Sequence, residues 1–218
     1  MDKLGVLLLY FVPFIFSLSF HEAAHAWMAN RKGDPTARLM GRLTLNPAAH
    51  IDPIGTVLFP LISFFTGAPL IGWARPVPVN ELNLKRWRVD SMWVAAAGPL
   101  SNLILALGFT GIVYLLNRVP ASGAELNAGF RIAEPLAVMA TVGIRFNLIL
   151  AFFNLLPFPP LDGGRVAAGL FPQLGSQLAV LERYGFIVLY LLFFTRVLDY
   201  VVFMPAQILF HLLISLTA

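Results

Sequence analysis

The 218-residue chain has no cysteine. That removes disulfides, thiolate metal sites and cysteine nucleophiles together. It is also poor in charge: Asp, Glu, Lys and Arg make up 12% of it, about half the share of an average soluble domain. Hydrophobic residues make up 58%, and a soluble domain of this size could not hide so much apolar surface. Leu4–Phe20 runs seventeen residues without a charge, and Ser91–Asn117 runs twenty-seven. A bilayer core asks for about 20 apolar residues per helix. A soluble enzyme, a disordered chain and a secreted disulfide scaffold are thereby excluded. The net charge of +4 would hint at nucleic acid in a soluble protein. Here it reads as Lys and Arg on cytoplasmic loops, with no nucleic-acid partner.

The pattern predicts an all-α polytopic membrane protein forming one domain, 1–218, with a core at 4–165 and a C-terminal helical hairpin at 184–217. The expected fold is a bundle of about five transmembrane helices, a small membrane-associated β-sheet and a re-entrant hairpin. The first helix is expected from Leu4 to Asn30, ended by Gly33, Asp34 and Pro35. No small-x-small cleavage pattern closes its apolar run, so it reads as a mature helix rather than a signal peptide. Ala37–Pro47 alternates with period two, and Trp73–Asn80 carries Pro76 and Pro78, so these segments are expected as two strands, the second an edge strand. Between them lies Ile51–Leu70, flanked on both sides by basic clusters (Arg31, Lys32, Arg38 and Arg42 before; Arg75, Lys85, Arg86 and Arg88 after). A single crossing would separate clusters that the positive-inside rule keeps together, so a re-entrant hairpin is expected. Ser91–Asn117 and Ile132–Leu156 read as spans joined by the loop Arg118–Arg131. Tyr184–Leu216 reads as a hairpin turning near Arg196–Asp199. This topology places Lys/Arg-rich loops in the cytoplasm.

His21-Glu22-Ala23-Ala24-His25 is an H-E-x-x-H motif. Residues i and i+4 share a helical face, so both imidazoles can reach one metal ion, and Glu22 lies beside that face, able to take a proton from water. Chance would produce the pattern in only about 0.002 chains of this length. Two histidines tucked into a bundle are the plainer reading, but ionisable groups within a membrane are costly and usually functional. Zinc suits two imidazoles plus a carboxylate. Among the expected cytoplasmic carboxylates, Asp162 lies in the Pro/Gly-broken stretch Pro157–Gly164, at the depth of the His21/His25 helix end. By the residues alone it is either the third ligand or a turn aspartate before glycines.

His21–His25, Asn154-Leu155-Leu156-Pro157 and Leu161-Asp162-Gly163-Gly164 together resemble the site-2 protease family of intramembrane zinc metalloproteases, which pairs H-E-x-x-H with a downstream N-x-x-P-x-x-x-L-D-G. Gly98-Pro99-Leu100-Ser101-Asn102 is similar to that family's middle core helix. The likeness covers about Leu4 to Arg165 and suggests a compact form without a PDZ domain. It implies that His21, His25 and Asp162 hold one Zn2+, that Glu22 is the catalytic base and that Asn154 holds substrate backbone. The implied activity is hydrolysis of peptide bonds in or near transmembrane segments of membrane-protein substrates. The implied setting is the lipid of the cell membrane, with the active site toward the cytoplasm. The alternative is a non-catalytic metal-binding scaffold or transporter, which would call for more polar residues lining several helices. A prenyl-protein peptidase would want a downstream glutamate instead of Leu161-Asp162-Gly163. His50 and Asp52 could form a second polar site, or a capping cluster entering the hairpin. Arg145 is expected to face an aqueous cavity or the carbonyls of the broken hairpin, and His211 to be interfacial.

Overall fold

The computed structural model describes residues 3–67, 72–118 and 127–217, without the side chains of 127–132, 179 and 186. Among the described residues, three helices are long and apolar enough to cross a membrane. These are α1 (Lys3–Lys32), α3 (Trp87–Leu116) and α4 (Asn127–Asn154), of which Ala133–Asn154 is the apolar part. A shorter α2 (Pro53–Thr66) precedes α3. After α4 come α5 (Asp162–Leu170), α6 (Gly175–Glu182), α7 (Gly185–Phe194) and α8 (Asp199–Ser215).

α1, α3 and α4 pack on one another. Small residues on α3 and α4 let α8 close one side of the bundle: Ala106, Val113, Ala140, Ile144, Leu148, Ala206, Phe210 and Leu213 form a single buried cluster. Shape-matched packing, rather than water exclusion, has to hold such helices together in lipid. At the other end Lys32 Nζ reaches Asp90 Oδ1 at 3.3 Å, tying the end of α1 to the start of α3. Asp90 also accepts from the Arg86 backbone N–H at 2.8 Å, which begins α3 one turn earlier than the charge pattern suggests.

Against the expected count of about five spans, three helices among the described residues are long and apolar enough to cross, or four if the bent pair Pro172–Glu182 and Ile187–Phe194 (88° between them) crosses as one unit. The C-terminal segment does break where expected, at Arg196, which adopts a left-handed φ of 58°. The loop expected at Arg118–Arg131 lies largely outside the described residues.

The β-sheet is also corrected: no strand occurs among the described residues. Residues 36–39 form a single helical turn, and Gly41, at φ 69°, turns the chain so that Arg42 N–H bonds back to Ala37 O. Neighbouring Leu39 (76%) and Met40 (59%) are both exposed, so the alternation there does not divide an inner from an outer face. The 72–80 stretch is extended but pairs with no strand. Its N–H groups go to four separate acceptors: Trp73 to Gly55 O, Arg75 to His50 O, Val77 to Glu22 Oε2 and Asn80 to Asp34 Oδ2. With Pro76 and Pro78 offering no donor, a ladder cannot form and a strap results. The Trp73 bond to Gly55, with Thr56 Oγ1 donating to Trp73 O at 2.7 Å, returns the chain to where α2 begins, as a hairpin requires. Residues 68–70 of that hairpin fall outside the described residues.

Candidate metal centre

α1 carries His21 and His25 one turn apart, their rings buried and edge-to-face with centroids 4.6 Å apart. α3 crosses α1 here, and Val94, Gly98 and Asn102, four residues apart, form one stripe along its facing side. Val94 O lies 2.7 Å from His25 Nδ1, and Asn102 Oδ1 lies 2.6 Å from His21 Nδ1. Gly98 sits between them, and a methyl group there would overlap both imidazoles.

With Nδ1–H of each ring donated to an oxygen, both Nε2 atoms are left with lone pairs. They face each other at 3.0 Å. Asp162 Oδ2 completes the triangle, 3.2 Å from His21 Nε2 and 3.4 Å from His25 Nε2. It has no hydrogen-bond partner although the atom is buried. Three acceptors converging with no proton to share are mutually repulsive unless a cation lies among them. Their separations also match the ~3.3 Å edge of a tetrahedron built on metal–ligand bonds of about 2.0–2.1 Å. The donor set therefore fits Zn2+.

Asp162 is the first residue of α5, at the helix end that favours negative charge. It is held there by its glycine neighbours. A Cβ on Gly163 would strike the Leu155–Leu156 backbone, and one on Gly164 would lie 2.6 Å from Pro159 N, so the 155–164 turn closes only with glycine at both positions.

Glu22 belongs to the same cluster: one ligand atom from each of His21, Glu22 and His25 lies within 4.8 Å of the others. Its Oε2 accepts the Val77 N–H at 2.8 Å, so the strap holds the carboxylate beside the histidines. The strap is anchored in turn by Asp34, which is fully buried and accepts from Thr36 N, Asn80 N and Asn83 Nδ2. Burial alone would push the Asp34 carboxyl up, but the hydrogen bonds from Asn83, Thr36 and Asn80 outweigh it and hold it below its usual value.

Asn154, half-buried, donates Nδ2 to Leu150 O at 3.0 Å, within its own helix. Asp52 caps α2, accepting from Ile54 N and Gly55 N at 3.0 and 2.7 Å, while buried His50 bonds Thr44 O. The capping reading of that pair is the one realised. Arg145 stacks its guanidinium 4.6 Å over the Phe210 ring rather than facing a cavity or the broken hairpin. Sequence reasoning missed the link from His21 through Asn102 to Asn147 and Ser17, all of them buried. The available signal was a polar residue, Asn147, inside an apolar span.

An apolar cavity of about 650 Å³ opens beside the cluster, between α1, α3 and residues 43–45. Phe20, Ala24, Trp27, Leu43, Leu45 and Leu100 are among its lining residues.

Two buried imidazoles on a long apolar helix, met by a carboxylate at the start of α5, fit the class of membrane metalloproteins with an H-E-x-x-H helix. Residues 122–197 match peptidase family M50. The chain is 44% identical over 192 residues to the Bacillus subtilis protein named "Putative zinc metalloprotease YwhC", covering 87% of this chain and 82% of that one. A Mycolicibacterium smegmatis relative bearing the same description, Rip2, is 30% identical over 200 residues, with 91% and 71% covered. No solved structure matches. The chain belongs to peptidase family M50, the membrane-embedded site-2 protease family, and is a zinc metalloprotease.

Proposed function

We propose that this chain is an intramembrane endopeptidase that cuts transmembrane segments of other membrane proteins, with His21, His25 and Asp162 as zinc ligands and Glu22 as catalytic base. The observation that carries the reading is the convergence of His21 Nε2, His25 Nε2 and Asp162 Oδ2 within 3.0–3.4 Å. Zinc held by these three residues would supply a Lewis acid for the scissile carbonyl and the attacking water. Glu22 takes the proton from that water and delivers it to the leaving amine. The Val77 N–H keeps the carboxylate aimed during both transfers.

A helical substrate hides its carbonyls in intrahelical bonds, so the cut segment must unwind. The apolar cavity beside Phe20, Ala24 and Leu100 suits an apolar segment arriving from lipid, and the irregular 43–45 stretch forms one wall of it. Asn154, near the Asp162 turn, holds unwound substrate backbone after releasing its bond to Leu150 O. The basic residues around 31–42 and 75–88 support a cytoplasmic position for this end of the bundle in the cell membrane, by the positive-inside rule.

The test is Glu22→Gln, assayed against a co-expressed membrane-protein substrate. The variant keeps its zinc and cleaves nothing. Undiminished cleavage would remove Glu22 from the mechanism.

A further inference from the structure

We propose that Asn147 and Ser17 are positioning residues of the metal centre, which fix the proton of His21 on Nδ1 by orienting Asn102. This rests on the zinc-site reading above. Asn147 is fully buried in α4, with no imidazole in reach. Its Nδ2 donates to Gly143 O at 2.8 Å and to Ser17 Oγ at 2.7 Å. A backbone carbonyl can only accept, so the amide end at Gly143 has to be the nitrogen. Ser17 spends its own hydroxyl proton on Pro13 O at 2.6 Å, so it too can only accept from Asn147.

With both ends of Asn147 settled, its Oδ1 faces Asn102, and Asn102 Nδ2 donates to it at 2.7 Å. Asn102 then has only Oδ1 to offer His21, and at 2.6 Å His21 must answer with Nδ1–H. The lone pair of His21 is thereby committed to Nε2, on the side of His25 and Asp162. Reversing Asn147 would set two acceptors together at Gly143 O and two donors together at Asn102, and reversing Asn102 alone would set its oxygen against Asn147 Oδ1, in a dry interior where each such contact is costly. His25 takes its proton direction straight from a backbone carbonyl, Val94 O. His21 instead depends on the orientation of Asn102, whose Nδ2 is held by Asn147 Oδ1 at 2.7 Å and, at a longer 3.4 Å, by the Ser17 backbone carbonyl, so its chain of dependence spans α1, α3 and α4.

Zinc affinity of the purified full-length protein, measured by chelator competition, tests this. Asn147→Leu weakens zinc about 10- to 100-fold, the range for lost outer partners of a ligand histidine, although residue 147 touches neither ligand nor metal. Adding Asn102→Asp restores affinity to within about threefold of wild type, because a carboxylate offers an acceptor at both ends and needs no orienting partner. A packing role for Asn147 would not be rescued this way. Ser17→Ala removes one anchor by a smaller change and weakens zinc about 10-fold, the low end of that range, so the test stands even where Asn147→Leu does not fold. The Asn102→Asp rescue belongs to Asn147→Leu alone, because with Asn147 present its Oδ1 would face the new carboxylate. Thr110→Val, a buried hydroxyl bonded only within α3, leaves affinity unchanged. Wild-type affinity in whichever of Asn147→Leu and Ser17→Ala fold, or a loss in Asn147→Leu that Asn102→Asp does not repair, overturns the assignment while the metal centre stands. A wild-type chain that binds no zinc overturns the metal centre and this assignment with it.

Discussion

Gly98→Ala is a one-methyl change at the point where α3 meets both imidazoles. The added Cβ would lie 2.6 Å from His21 Cε1, about 0.8 Å inside the 3.4 Å at which ordinary contact begins, and closer still to His25 Nε2. The rings cannot step aside without loss. His25 is held by Val94 and His21 by Asn102, one helical turn to either side of Gly98 on the same face of α3. Relief therefore requires α3 to move away from α1 by nearly 1 Å, which stretches both hydrogen bonds, or the rings to turn away from Asp162. Metal sites tolerate ligand displacements of about 0.2 Å, so zinc affinity should fall by at least about 100-fold. Gly108→Ala is the matched control: it lies in the same helix, and a Cβ there meets nothing within 4 Å. It should leave zinc affinity unchanged and favour the helix by up to about 1 kcal/mol. Chelator competition on the two purified variants reads the difference. Gly98→Ala binding zinc within about threefold of wild type would refute the claim that glycine sets the approach of α3 to the ligands.

Three further outcomes are expected. The Asp34 carboxyl is held below its ordinary value, so its contribution to anchoring the strap is complete above the unfolded value of about 3.9 and is lost as pH falls through the lower folded value. Protection of residues 72–83 against hydrogen exchange, taken relative to the intrinsic rate at each pH, should fall on acidification in wild type and be low at all pH values in Asp34→Ala, where Asn80 N–H loses its acceptor; an Asp34→Ala strap protected as in wild type counts against the anchor. Val77→Pro, which deletes the N–H on Glu22, should lower kcat while zinc content holds, and an unchanged kcat would free Glu22 from the strap. Cysteines replacing the exposed Met40 and Leu82 should both react with a membrane-impermeant thiol reagent from the cytoplasmic face only, and labelling from opposite faces would overturn the hairpin topology.

The chemistry was far more legible in the sequence than the connecting structure. H-E-x-x-H announces its own geometry, since i and i+4 must share a helical face. Asp162 stood out by its place in the Pro/Gly-broken stretch, but the glycines behind it left a turn aspartate open as well, and only the structure shows its Oδ2 meeting both imidazoles. The alternation of residues 37–47 misled because period two is also what a turn with Gly41 and a capped Pro47 can produce, and Leu39 and Met40 end up exposed together. The strap's role was hidden for a different reason. The group that reaches Glu22 is a backbone N–H, which every residue but proline possesses. Asn147 was visible as a polar residue in an apolar span, but its partner lies 45 positions away in the chain, a distance no local pattern bridges. About five spans were expected because each arm of Tyr184–Leu216 was counted as one; among the described residues α7 and α8 are apolar but shorter than the three long helices.

Zinc stoichiometry of the purified protein, wild type against Asp162→Ala, tests the central claim most directly. The three-acceptor triangle predicts about one zinc per wild-type chain and loss of most of it when the carboxylate is removed, since two imidazoles alone make an incomplete site. Full retention of zinc by Asp162→Ala would contradict it.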